Sequence, residues 1–202
     1  LTGLSESLPS QGLSSLHINF TSPADDAVLQ SQSGWLQRVG CQFHWRNYQY
    51  RDFQDFLDNL TSRKRKQLRK EREQLAGQGF SFAWHAGDEL SESQWDFVYR
   101  CYANTYHVRG QAPYLTRLFF SLLAERQPES IRVVIASQAG RPVAMAFSLK
   151  ASDTLYGRFW GCVGDYDGLH FETCFYQGMD YAIANKLQRF DAGAQGEHKL
   201  IR

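Results

Sequence analysis

The sequence predicts an α+β fold, a mixed sheet flanked by helices. Two helical patterns, residues 91–108 and 115–123, precede three strand-like runs joined by short turns. A third helical pattern and one more strand-like run follow. Tight turns join antiparallel neighbours, whereas a strand reached through a helical crossover runs parallel to its neighbour. With 202 residues, 43% of them apolar, the chain can build one good core, or one complete unit and part of another.

Residues 2–13 are weakly helical and carry Pro9 and Gly12, while residues 15–21 (SLHINFT) alternate and read as a strand. Pro23 opens a helix to about residue 33, with Asp25 and Asp26 at the positive end of its dipole. Residues 35–45 read as one strand, or as two with a bulge at Gly40. A helical pair follows at 52–60 and 62–78, then a short strand at 80–84. Ser91 and Gln94 form a capping box, stapled by Leu90 and Trp95, and Trp95, Val98, Tyr99, Tyr102 and Tyr106 keep the 3.6-residue period. Strands are expected at 132–137, 142–150 and 154–163, a helix at 171–186 and a last strand at 188–191.

Lys and Arg number 22 against 21 Asp and Glu, so no global field favours nucleic acid or an anionic membrane. The four cysteines show no CxxC or metal-ligand spacing, and are expected as thiols of a reducing compartment. The longest apolar run, residues 143–149 with one serine, is too short to cross a bilayer. The chain starts at Leu1 and stops at Arg202 behind a dense polar cluster, so it is expected to be cut at both ends.

That polar cluster, DAGAQGEHKLIR at 191–202, is the strongest candidate site. Gly193 and Gly196 let backbone N–H groups approach a ligand. Glu197 and His198 are the expected proton acceptors, with Gln195 and Lys199 holding substrate. The plain alternative is a charged loop. In residues 155–162 (LYGRFWGC), regular strand alternation puts Tyr156, Arg158 and Trp160 on one face, suited to an anion beside an apolar body. His170 and Glu172 stand at a helix start, as a proton-moving pair or as a first-turn carboxylate beside a ring; with His198 they do not make a zinc pattern. His44 lies among aromatics in QFHWRN, as a core histidine or a substrate contact. Arg65 and Arg69 lead a basic helix that reads as a solvated face or as a phosphate or RNA contact.

The order of these elements is that of the GNAT acyltransferase core, which needs two more strands after Asp191. The segments FHWRN at Phe43, FLDNLTSRKRKQLRKERE at Phe56, PYLTRLFF at Pro113, LYGRFWGC at Leu155, LHFETCFYQGMDYAI at Leu169 and AGAQGEHKL at Ala192 resemble the FemAB-like family of the GNAT superfamily, the peptidoglycan biosynthesis or recognition proteins. The resemblance covers nearly the whole chain. It implies tandem GNAT-like units: residues 1–50 as the end of a first, 51–79 as a helical connection, and 80–202 as a second without its last strands. It also implies a bacterial cytoplasmic protein that transfers an acyl or aminoacyl group to an amine of a small molecule or peptide. The donor would be acyl-CoA or aminoacyl-tRNA, and no further cofactor or metal is assigned. Acyl-CoA fits less well, because RFWGCV at 158–163 departs from the usual pyrophosphate loop by a valine at its last position. A non-catalytic module that binds a cell-wall peptide is the rival reading, and an RNA-binding protein using the basic helix is a second.

Overall fold

The computed structural model describes residues 3, 7–19, 21–40 and 42–193. The chain divides into two compact units, Leu1–Gly40 and Cys41–Arg202.

In the first unit, α1 (Pro23–Gln30) has Pro at its first turn and a capping box in which Ser22 and Asp25 satisfy each other's N–H groups. Among the described residues of 15–21 and 35–40 there is no strand. Alternation makes a segment fit for a sheet, but a strand forms only where a neighbouring edge accepts its hydrogen bonds. No such pairing is formed here, and Leu36 and Val39 are exposed.

In the second unit the elements run β1 (His44–Arg46), α2 (Phe53–Asp58), α3 (Ser62–Gly77), β2 (Phe80–Ala86), α4 (Glu92–His107), α5 (Arg117–Arg126), β3 (Ile131–Gln138), β4 (Arg141–Lys150) and β5 (Thr154–Cys162). Then comes α6, one rod in three pieces: an α turn (Leu169–Phe171), a π segment (Glu172–Tyr176) and an α segment (Gln177–Ala184). It leads into β6 (Arg189–Asp191). The capping box expected at Ser91 and Gln94 is formed, and Leu90 and Trp95 enter the same core cluster.

The strands make one six-stranded mixed sheet in the order β1-β6-β5-β4-β3-β2. Only β5 and β6 are parallel, as the helical crossover between them requires. This is the α+β architecture expected from the element order, a mixed sheet flanked by helices. One departure concerns residues 44–46, which the sequence reading assigned to the first unit. They pair with β6, in register His44 to Asp191, and so belong to this sheet.

Two layers of side chains bury the sheet. One face carries Val133, Ile135, Met145 and Phe147 against Trp95, Val98, Tyr102 and Phe120 of α4 and α5. The other carries Leu155 and Phe190 against α2, α3 and α6 through Phe56, Leu68, Phe175 and Met179. The first pair of helices packs on β3 to β5 and stops short of the β6–β1 edge, where His44 and Arg46 stay exposed.

Candidate active site at the parting of two strands

β5 and β6 pair over only three rungs, from Thr154–Arg189 to Tyr156–Asp191. Beyond Asp191 the chain leaves β5 and follows β1 instead, with Ala192 N–H donating to the Phe43 carbonyl. β5 continues to Cys162 paired with β4, and among the described residues nothing pairs with its other edge from residue 157 onward, so a gap opens in the sheet there. Gly157 stands at its apex because space is short: a Cβ there would lie 3.3 Å from the Asp191 carbonyl oxygen and 3.5 Å from the Phe190 ring.

The β4–β5 register shifts at the same place, from Phe147–Phe159 to Ser148–Gly157. Arg158 is therefore the extra residue of a β-bulge, which bends the strand and re-aims its side chains. This corrects the expectation that Tyr156, Arg158 and Trp160 share a face. The bulge resets the alternation: Tyr156 lies on the α4/α5 face and Trp160 on the α6 face. Arg158 is exposed, 5.9 Å from the Phe159 ring centroid, with no ion pair among the described residues.

On the α4/α5 face, register puts His44, Asp191 and Tyr156 in one cross-strand row. The Asp191 carboxylate accepts from the Gly193 N–H at 2.7 Å, in a tight turn that Gly193 closes at φ +85°. Its other oxygen lies 3.7 Å from Nε2 of His44, and Gln42 Oε1 lies 3.3 Å from the same nitrogen. Two acceptors facing Nε2 favour the tautomer with its proton there, leaving Nδ1 to accept a proton. Asp191 was not singled out by sequence reasoning. Its signal was its place as the last residue of β6, at the head of the polar run 191–202.

The β5 edge offers polarised backbone. Val163 N–H donates to the Val143 carbonyl, so by antiparallel alternation Trp160 and Cys162 turn their N–H and C=O groups away from β4. Their carbonyls accept from Thr105 Oγ1 at 2.8 Å and Asn104 Nδ2 at 2.9 Å. The Trp160 N–H points the same way, towards the gap.

On the α6 face, His170 meets the Trp160 ring at 5.1 Å between centroids, and its Nδ1 lies 3.6 Å from Cys174 Sγ. Glu172, expected beside His170 in a proton-moving pair, has other partners. It is buried and accepts from Arg72 at 2.9 and 3.2 Å and from Gln177 at 2.9 Å. Arg65 is likewise occupied, donating to the carbonyls of Leu57, Asp58 and Leu60 at the end of α2. It closes that helix rather than offering itself to an anion. Arg65 still borders a shallow groove with Lys66, Arg69 and Lys70. Gln195, Glu197, His198 and Lys199 lie outside the described residues.

The model of the FemAB-like family, described as peptidoglycan biosynthesis/recognition, matches residues 1–202. The chain belongs to the FemAB-like family. No curated protein matches it. Among solved structures, this FemAB-like chain is similar to the C-terminal domain of a protein assigned as a lysylphosphatidylglycerol synthetase from Agrobacterium fabrum, at 12% identity and TM-score 0.56, over 77% of this chain and 46% of that one. It is also similar to L-PGS from Bacillus licheniformis, at 12% identity and TM-score 0.54, over 75% and 45%. A conserved protein of unknown function from Bacteroides thetaiotaomicron matches at 13% identity and TM-score 0.54, over 89% and 61%. The chain spans about half the length of the first two. At these identities the likeness is one of fold. Among the described residues, no helix of this FemAB-like chain is long and apolar enough to cross a membrane.

Proposed function

We propose that this FemAB-like protein transfers an acyl or aminoacyl group to an amine, at the gap between β5 and β6. The observation that carries the reading is the His44–Asp191 pair at the edge of that gap. The Trp160 N–H, fixed by the strand, would polarise the donor carbonyl without reorganising. An incoming amine would give its proton to His44 Nδ1, and Asp191 offsets the charge the ring gains. Tyr156 and Arg158 would border the acceptor and any anionic part of the donor.

The family's description supports an acceptor among peptidoglycan precursors, and a cytoplasmic setting where such precursors are built. For the donor, aminoacyl-tRNA is favoured over acyl-CoA by the poor pyrophosphate motif at 158–163, most of which lies inside β5.

The test uses the full-length protein with aminoacyl-tRNA or acyl-CoA and an amine-bearing wall precursor. Removing a general base lowers kcat by about 10²–10⁴-fold with little change in KM, and this is expected for both His44→Ala and Asp191→Asn. Saturable precursor binding with no turnover from either donor would replace the enzyme by a binding module.

A further inference from the structure

Cys174 is not a lone thiol. Its Sγ lies 3.6 Å from His170 Nδ1, one turn earlier on α6, and both residues are partly exposed. The imidazole is held in orientation by three rings, Trp160 at 5.1 Å, Phe171 at 5.4 Å and Phe175 at 5.7 Å. The thiol also sits in the π segment Glu172–Tyr176, a distortion frequent at functional sites. Trp160, the ring against His170, belongs to the part of β5 that runs on past the last β5–β6 rung. The pair therefore lies on the α6 face of the sheet, beneath the gap that His44 and Asp191 border from the other face.

We propose that Cys174, with His170 as its base, is a nucleophile that holds the acyl group as a thioester during transfer. This deepens the transferase reading and rests on it. In the first step the thiol proton passes to His170 Nδ1 and the sulfur attacks the donor carbonyl. A C–S bond forms, the donor's C–O or C–S bond breaks, and the leaving group takes the proton from His170. In the second step the amine attacks the thioester and gives its proton to His44. The C–N bond forms, the C–S bond breaks, and the thiolate regains a proton from solvent. Nucleophile and base within hydrogen-bonding reach are the signature of such covalent relays.

The described cysteines supply internal controls. Burial pushes the Cys101 thiol up to about 12 and raises that of Cys162, so both stay protonated and slow to react near neutral pH. Iodoacetamide at pH 7, read by peptide mapping of the full chain, is expected to label Cys174 well before Cys101 and Cys162. His170→Ala is expected to slow that labelling by about 10-fold, because the thiolate is the reactive form. Incubation with acetyl-CoA or aminoacyl-tRNA should leave a hydroxylamine-sensitive adduct on Cys174, absent in Cys174→Ser. Labelling no faster than at Cys101 and Cys162, or indifferent to His170→Ala, overturns the proposal. So does amine transfer that survives Cys174→Ser, an outcome that leaves the transferase reading intact. If the unmodified protein transfers nothing, the transferase reading falls and the relay with it, whatever the thiol's reactivity.

Discussion

Arg72 is the place where a single substitution should do the most damage. Its guanidinium reaches from α3 to Glu172 and, at 2.6 Å, to Asp180, both on α6, and lies 4.4 Å from the Phe53 ring centroid on α2. Burial alone works against the charge, but the hydrogen bonds and charges of Asp180 and Glu172 outweigh it and raise the Arg72 pKa. Arg72→Leu keeps an apolar contact with Phe53 and leaves Glu172 as a buried carboxylate with no cation. Breaking a buried pair this way costs about 3–5 kcal/mol. Glu172→Gln is milder, about 1–3 kcal/mol, because Arg72 keeps Asp180 and an amide oxygen. Combining the two removes the stranded charge, so the double variant should be more stable than Arg72→Leu alone. Denaturant unfolding followed by tryptophan fluorescence measures all of this. A loss below about 1 kcal/mol for Arg72→Leu, or a double variant no more stable than Arg72→Leu, would refute the reasoning.

Two further outcomes can be checked on the same preparation. Arg65→Ala should destabilise by about 1–3 kcal/mol, since it uncovers the carbonyls of Leu57, Asp58 and Leu60, while Lys66→Ala on the same groove should leave stability within about 0.5 kcal/mol. Thermal or denaturant unfolding separates them. Burial raises the Cys101 thiol to about 12 in the folded protein, against 9.0 for a free thiol. Its contribution is therefore complete below pH 9.0 and lost as pH rises towards 12, because the unfolded thiol ionises first. Cys101→Ala should flatten the fall in stability between those pH values.

Much of the fold is written in local pattern. The capping boxes at Ser22 and Ser91, the tyrosine stripe of α4 and the turns of the β3–β5 meander are each decided by residues close in sequence. Even the parallel sense of β6 follows from the helix that precedes it. Patterns of this kind record backbone geometry and one-sided burial, which neighbours in the chain express directly. The segments at 15–21 and 35–40 carry strand-like alternation too, but a strand needs a partner edge, and sequence does not say whether one is within reach.

The site is legible only in part for the same reason. Arg158 and Trp160 are conspicuous as residues, yet the bulge that puts Tyr156 and Trp160 on opposite faces is a mismatch between two strands, visible in neither alone. Glu172 looks catalytic beside His170 until Arg72, a hundred residues earlier, claims it. His44 looks like a core histidine until β1 crosses to β6 and sets it against Asp191. Sequence by itself determined the element order from residue 52 onward, the sheet's mixed character and the family. Only the tertiary structure decided which polar groups meet, because hydrogen bonds and ion pairs act over a few ångströms of space and are indifferent to distance along the chain.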